Sequence, residues 1–216
     1  MKIKINLNSV VIAVASMLIA INSHAALVIT GQAFDTASMA LEDGTNLTSG
    51  VVKMGYYTVV PTAVTFNGYT SASQFESNFV TMSSNAMGIE TYSSLFSTTL
   101  EVPTGVSTYA GVQVFLLVGN GSLLSNSTQI GVYSKSSWIV PANPTGPTPE
   151  AVTFEMSQVL PSDILFGSYS STGGAYPGEG VTGEFKLQTV VPEPSTGALM
   201  MIGAAGLVAL RRLRKV

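Results

Sequence analysis

Apolar residues in this chain occur in short runs that are rich in β-branched and aromatic side chains, with turn-forming residues between them. Such runs are typical of β-strands. The pattern predicts strands at 26–30, 51–60, 98–102, 112–118, 129–133, 137–140, 151–154, 163–168 and 183–190. The run 112–118 is the most apolar, and the Gly119-Asn120-Gly121 turn after it predicts an antiparallel hairpin with 129–133.

One segment departs from the strand pattern. Ser73-Gln74-Phe75-Glu76 has the spacing of a capping box, in which a serine hydroxyl caps the amide of Glu76 and the glutamate returns the bond. Phe75 and Phe79 lie four positions apart, so they would share one face of a helix. We therefore predict one short helix over 74–80, packed by these two rings against a sheet.

Short strands, frequent turns and a single brief helix favour a mostly β fold. The predicted architecture is an antiparallel β-sandwich, of the jelly-roll or immunoglobulin-like type, over residues 26–190. The chain has no repeat of fixed period, which disfavours a solenoid or a propeller. A segment of this length can bury a sizeable core, so one domain is expected.

The N-terminal 25 residues differ from this middle region. Two lysines, Lys2 and Lys4, precede an uncharged, apolar run at 10–21, and Ser23-His24-Ala25 places small residues where a signal peptidase reads them. Residues 1–25 are therefore predicted to be a secretory signal peptide. The predicted cleavage site lies between Ala25 and Ala26.

The C-terminal segment 191–216 has three parts in a fixed order. Pro192-Glu193-Pro194 is stiff and extended, because proline fixes its own φ and restricts the residue before it. An uncharged apolar stretch follows at 197–210, whose members include Gly197, Leu199, Ile202, Leu207 and Leu210. A basic cluster then closes the segment: Arg211, Arg212, Arg214 and Lys215.

The apolar stretch is short for a membrane span. As a helix, 196–210 would extend roughly 22 Å, whereas a hydrocarbon core is about 30 Å thick. We therefore predict a membrane-spanning helix that is better suited to a transient than to a permanent span. The basic cluster predicts a cytoplasmic C-terminus, which places residues 26–190 outside the cytoplasm.

This tripartite segment resembles the PEP-CTERM sorting signal of Gram-negative bacteria, and the resemblance covers 191–216 only. It implies recognition of Pro192, Glu193 and Pro194 by an exosortase, a membrane transpeptidase-like protease. It also implies a transient stay in the inner membrane, followed by delivery to the cell surface or the extracellular matrix. The alternative is an ordinary C-terminal membrane anchor on a proline-rich stalk, in which case the segment would be retained.

Charge excludes one class of partner. Between the two terminal segments there are eleven acidic residues and three lysines, so the net charge there is 3 − 11 = −8. The value of −3 for the whole chain hides this, because the other six basic residues lie in the terminal segments. Such an acidic surface repels nucleic-acid phosphates, so nucleic-acid binding is rejected.

Residue types limit the chemistry further. The chain has no cysteine, and its single histidine, His24, lies in the predicted signal peptide. These facts exclude Ser-His-Asp triads, cysteine nucleophiles and ordinary zinc or copper sites in the exported part. We therefore expect a non-enzymatic surface or matrix protein, without a metal or a cofactor.

Three chemical functions stay open as alternatives to this expectation. Lys135 lies among Ser134, Ser136 and Ser137 and could form a Ser–Lys dyad, although a solvated hairpin turn is the favoured explanation of this run. Two of the scattered carboxylates could form a glycan-hydrolase pair. Residues 42–46 could bind Ca²⁺, although a turn in which Asp43 or Asn46 bonds its own backbone is favoured.

A carbohydrate-binding module that is retained in exopolysaccharide is the main alternative to a purely structural role. Such a module would need aromatic side chains exposed in a row, where they could stack on sugar rings. Most aromatic side chains in a protein of this size belong to the core instead. The candidates are Tyr56, Tyr57, Tyr69, Tyr92, Tyr109, Tyr133, Tyr169, Tyr176 and Trp138.

Overall fold

A computed structural model describes residues 25–33, 37–87, 95–103, 109–142, 150–171 and 183–190. The predicted sorting segment and all of the predicted signal peptide except its last residue lie outside these ranges. None of the helices within the described ranges combines the length and the apolar character of a membrane span. The membrane-spanning prediction for 197–210 therefore falls on residues that the structure does not describe.

The described chain is mostly β, as predicted. The strands are β1 (Ala25–Ala33), β2 (Ala37–Ala40), β3 (Val51–Tyr57), β4 (Phe79–Ala86), β5 (Phe96–Pro103), β6 (Gln113–Gly119), β7 (Gln129–Ile139), β8 (Glu150–Glu155), β9 (Ile164–Phe166), β10 (Ser168–Ser170), β11 (Gly183–Lys186) and β12 (Gln188–Thr189). The α-helices are α1 (Ala63–Asn67) and α2 (Ala72–Glu76). Single-turn 3-10 helices span Leu124–Asn126, Met156–Gln158 and Pro161–Asp163.

The strands form three sheets. The largest has the order β12-β7-β6-β3-β4, with β9 also paired to β7, and all its pairs are antiparallel. The two smaller sheets have the orders β5-β1-β8 and β10-β11-β2. In each of them one pair is parallel, β1 with β8 and β11 with β2, so the fully antiparallel prediction is wrong at these two pairs. Parallel neighbours need a long crossover connection, which the pattern within a single strand does not reveal.

The central strand β6 of the large sheet is buried on both faces. On β6, Val114, Leu116 and Val118 lie in one core cluster with residues of the two smaller sheets. Phe115 and Leu117 alternate with them and lie in a second cluster, which includes side chains of both α-helices. We call the first the sandwich core and the second the helix-side core. The continuous apolar run at 112–118 is what a strand needs when both of its faces are covered.

The predicted helix is displaced. Helix α2 begins earlier, with Ser71 as its N-cap, and the Gln74 side-chain oxygen accepts the backbone N–H groups of Ser71 at 2.9 Å and Thr70 at 2.6 Å. The capping box predicted at Ser73 and Glu76 is therefore wrong. Glu76 forms an ion pair with Lys53 of β3 instead, which ties the helix to the large sheet.

The two phenylalanines of the predicted helix separate. Asn78 has a φ of 62°, in the left-handed region, so the helix cannot continue past it, and Phe79 begins β4. Phe75 is buried in the helix-side core and stacks on Phe66 of α1, with ring centroids 5.7 Å apart. Helix α1 was not predicted, although Thr62 gives it an N-cap whose hydroxyl oxygen accepts the N–H of Thr65 at 3.2 Å.

The remaining differences concern strands. The hairpin of β6 and β7 is confirmed, but 137–140 is no separate strand, because Gln129–Ile139 is continuous and a register shift accommodates its length. Strands β2 and β4 were not predicted. Half of the residues of β4 are polar, and all except Met82 are half-buried or exposed, so its sequence lacks the alternation that identifies a strand.

Candidate functional site

The last described residue, Val190, belongs to the folded core. Its side chain is 6% exposed and packs in the helix-side core. Its backbone N–H donates to the carbonyl oxygen of Thr128 at 2.9 Å. The folded structure therefore reaches the residue directly before the predicted sorting segment at 191–216, and no spacer separates them.

Strand β12 brings the chain to this point along the rim of the large sheet. Gln188 pairs with Ile130, and Thr189 pairs with Gln129. One residue earlier, the N–H of Leu187 donates to the carbonyl oxygen of Ala40 at 2.9 Å. A strand of two residues has few backbone bonds, so side-chain contacts contribute much of what holds it in place.

Glu42 supplies the principal side-chain contact. Its carboxylate accepts the hydroxyl of Thr189 and the backbone N–H of Thr189, the latter at 2.9 Å. Its own N–H donates to the side-chain oxygen of Gln129 at 2.9 Å. Both bonds from Thr189, the hydroxyl's first, favour the ionised carboxylate, so they hold the pKa of Glu42 below its ordinary value.

The turn that carries Glu42 is held by local bonds. Asp43 accepts the N–H of Thr45 at 2.8 Å, and this backbone bond is the largest cause that lowers the pKa of Asp43. Gly44 has a φ of +86°, and a Cβ at this position would lie 3.0 Å from the Lys186 ammonium nitrogen. The expected turn in which Asp43 bonds its own backbone is thus confirmed.

The Ca²⁺ alternative at 42–46 gains no support from this geometry, because Glu42 and Asp43 already accept protein N–H or O–H groups. In the part of the chain that the structure describes, no group of three or more His, Cys, Asp or Glu residues is placed to hold a metal ion.

Lys186 lies 3.4 Å from the buried Glu184 carboxylate and balances its charge.

A second turn adjoins β12. Asn120 accepts the N–H groups of Thr128 at 2.9 Å and Gln129 at 3.0 Å, and Ser127 accepts the N–H of Gly121 at 3.0 Å. The turn is thereby rigid, yet it leaves the side chain of Leu123 60% exposed. We call the surface formed by residues 41–46, residues 120–128, β12 and Val190 the junction surface.

The Ser–Lys alternative gains no support from the surroundings of Ser134 and Lys135. Residues 134–137 all lie within β7, so the favoured explanation of this run as a solvated hairpin turn is wrong. The hydroxyl of Ser134 is buried and donates to the Val114 carbonyl oxygen at 2.7 Å. The Lys135 ammonium donates to the carbonyl oxygen of Gln158 at 3.0 Å.

The candidate aromatic residues do not form an exposed row in the described ranges. Three of them are buried, namely Tyr57, Tyr133 and Trp138. Four are half-buried, namely Tyr56, Tyr69, Tyr109 and Tyr169. Burial raises the pKa of the Tyr57 and Tyr133 phenols, as expected for core residues. Tyr92 and Tyr176 lie outside the described residues.

The predicted sorting residues, from Pro192 to Lys215, also lie outside the described residues. Strand β1 begins at Ala25, so the predicted cleavage site between Ala25 and Ala26 lies at the start of this strand. Sequence reasoning missed Glu42, Gln129 and Thr189 as a group. Glu42 and Thr189 are 147 positions apart, and no local pattern links residues at such a separation.

The comparisons with known proteins assign the C-terminal segment. Residues 190–215 match the family model of the PEP-CTERM protein-sorting motif. The match begins at Val190, the residue whose side chain is buried in the helix-side core. No curated protein and no solved structure matches the chain. The prediction that 191–216 is a sorting signal of this family is thus confirmed.

Proposed function

We propose that this PEP-CTERM sorting-domain protein is a non-enzymatic component of the cell surface or extracellular matrix of a Gram-negative bacterium. The motif at 190–215 indicates an exported protein that is sorted through an exosortase-type enzyme. In this proposal, 26–190 is the exported β-sandwich, and 191–216 is the sorting segment. The observation that carries it is the motif match, which begins at the last buried residue of the folded structure.

Within the sorting segment, each part has its own role. Glu193 is the recognition residue, held extended between Pro192 and Pro194. Residues 197–210 cross the inner membrane transiently, and the basic cluster at 211–215 keeps the C-terminus in the cytoplasm.

The non-enzymatic assignment is supported by the polar side chains that could take part in catalysis, because they are bonded within the fold. Glu42 and Glu76 bond to residues of other elements, and Glu184 pairs with Lys186. The Ser134 hydroxyl and the Lys135 ammonium both donate to backbone carbonyl oxygens. The sequence supplies no cysteine, and its one histidine lies before the predicted cleavage site. A hydrolase would need two convergent carboxylates with a free approach to substrate.

The experiment determines whether the C-terminal segment is removed from the exported protein. The full chain is expressed in a host with and without an exosortase, and the intact mass of the exported protein is measured. We expect the competent host to release a protein that lacks Arg211–Val216, and the other host to keep the segment. An intact Arg211–Val216 end in the competent host would contradict the proposal and favour a permanent anchor.

A matched pair of variants tests the recognition residue. Glu193→Gln removes the charge but keeps the shape of the side chain, so processing is expected to fall strongly. Glu150→Gln makes the same change at an exposed position of β8, and processing is expected to stay unchanged. Equal processing of both variants would remove Glu193 from its proposed role.

A second candidate function is retention by exopolysaccharide, and one feature of the β5-β1-β8 sheet favours it. Thr30 pairs with Thr99 on one side and with Thr153 on the other, so three threonines form a row across the outer face. Thr99 and Thr153 are exposed, and the hydroxyl oxygens of Thr30 and Thr99 lie 3.3 Å apart. Such a row presents threonine hydroxyls from three neighbouring strands, and the strands themselves lie about 4.8 Å apart.

Co-sedimentation with matrix polysaccharide tests this second candidate. Changing Thr30, Thr99 and Thr153 together to valine keeps their shape but removes the hydroxyls, so binding is expected to be lost. Thr81→Val, at an exposed position of β4, is the control that should bind normally. If the unaltered protein fails to sediment with any matrix polysaccharide, this candidate is wrong while the sorting proposal stands.

A further inference from the structure

The covalent chain fixes how far the recognition residue can lie from the folded structure. Glu193 follows Val190 by three residues. An extended chain spans at most about 3.6 Å per residue, so the two Cα atoms are at most ~11 Å apart. Val190 is held in the helix-side core, which means that this limit is measured from a fixed point.

A folded enzyme is much larger than this distance, since even a domain of about 100 residues has a radius of gyration of ~13 Å. An enzyme that encloses Glu193 must therefore contact the surface of the folded structure around Val190. We propose that the junction surface is a docking surface for the exosortase-type processing enzyme. This inference rests on the proposed function and adds a folded contact region to the linear motif.

The junction surface has the composition of a small protein interface. Leu123 is an apolar side chain that is 60% exposed on a turn fixed by Asn120 and Ser127. The other exposed residues of the same turn, Ser122, Ser125 and Asn126, are polar. An apolar anchor inside a polar rim is the usual arrangement of such contacts. The partner that fits is an enzyme surface with an apolar recess for Leu123 and a polar margin around it.

The absence of cysteine from the chain allows a direct test. A single cysteine is introduced at Asn46 or Ser125, which are exposed residues of the junction surface, and labelled with a short photo-crosslinker. Ser136→Cys is the control, because Ser136 is exposed on β7 seven residues from Gln129, a separation of up to about 23 Å along the strand. The full-length chain is irradiated in membranes that contain an inactive variant of the enzyme.

We expect cross-links to the enzyme from Asn46→Cys and Ser125→Cys, and none from Ser136→Cys. Cross-linking from all three positions alike, or from the control alone, would overturn the docking surface. The docking surface would also be overturned if no position cross-links to the inactive enzyme although the active enzyme still processes the same chain. A chain that the active enzyme leaves intact would instead count against the proposed function, so the two failures are distinguishable.

A second pair of variants measures what the contact contributes. Leu123→Ser removes the apolar anchor, and Leu160→Ser makes the same change at a leucine that is 58% exposed elsewhere. We expect Leu123→Ser to lower the initial rate of processing by about tenfold, the effect of losing an interface anchor. Leu160→Ser should process at the normal rate, and equal rates for the two variants would contradict the inference.

Discussion

The first and last strands of the described chain are held in opposite ways. Strand β1 is the central strand of its sheet, paired along its length with β5 on one side and β8 on the other, and Leu27 and Ile29 are fully buried. Strand β12 has two residues, lies at the rim of the large sheet and pairs with β7 alone. Glu42 also bonds to Thr189, and the Gln188 side-chain oxygen accepts the N–H of Gly167 at 3.4 Å. The flanking Leu187 and Val190 donate to the carbonyl oxygens of Ala40 and Thr128.

This difference separates global from local stability. Losing β1 would divide a sheet into unpaired halves, so changes there are expected to unfold the whole structure. Losing β12 would free the chain only back to Leu187, so changes there are expected to open the segment next to the sorting motif and leave the rest folded. Local opening of this kind is detected by hydrogen exchange at individual amides.

The largest effect is expected in β1. Ile29→Ala removes a fully buried side chain from the sandwich core and should lower the free energy of unfolding by about 2–5 kcal/mol. Urea denaturation measures the change. Thr153→Ala, at an exposed position of the neighbouring β8, is the control and should cost under ~1 kcal/mol. Similar losses from both variants would contradict the central role of β1.

A smaller effect is expected at the other end of the chain. Val190→Ala removes two buried methyl groups, worth roughly 1.6 kcal/mol at ~0.8 kcal/mol each. We expect the loss to appear as faster exchange of the Thr189 and Val190 amides, with little change at the β1 amides. Val60→Ala, where the side chain is 54% exposed, should leave exchange unaltered. Equal acceleration in β1 would show that the two ends open together.

A third variant removes only the charge that holds β12. Glu42→Gln keeps an acceptor oxygen for Thr189, but a neutral acceptor forms a weaker bond than a carboxylate. Exchange of the Thr189 amide is expected to become several-fold faster, while the urea midpoint stays the same. An unchanged Thr189 amide would mean that backbone pairing with Gln129 is sufficient to hold this strand.

The smallest effect is a response to acid. The folded-state pKa of Glu42 lies below its ordinary value of 4.5, so its stabilising contribution is present at neutral pH and is lost as the pH falls through the folded-state pKa. After correction for intrinsic exchange rates, the Thr189 amide should therefore lose protection when the pH is lowered below 4.5. The Glu42→Gln variant should lack this response, and an equal response would assign it to another carboxyl group.

Much of the strand pattern could be predicted because burial leaves a local signature. Strand β6 is covered on both faces and reads as an unbroken apolar run, and the turn after it marks the hairpin with β7. The position of α2 could not be predicted with the same success. Ser71 and Gln74 compete with Ser73 and Glu76 for the same capping role, and the ion pair of Glu76 with Lys53 engages the glutamate in a contact that lies 23 residues away.

The sequence by itself determined the mostly β character of the chain, its acidic middle region and the sorting motif at its C-terminal end, because each is a property of composition or of adjacent residues. Only the tertiary structure decided the two parallel strand pairs and the burial of Val190 next to the motif. It also brought Glu42 to Thr189, across 147 positions. Such contacts depend on the order and direction in which the strands pair, and sequences with the same local pattern can pair their strands in another order.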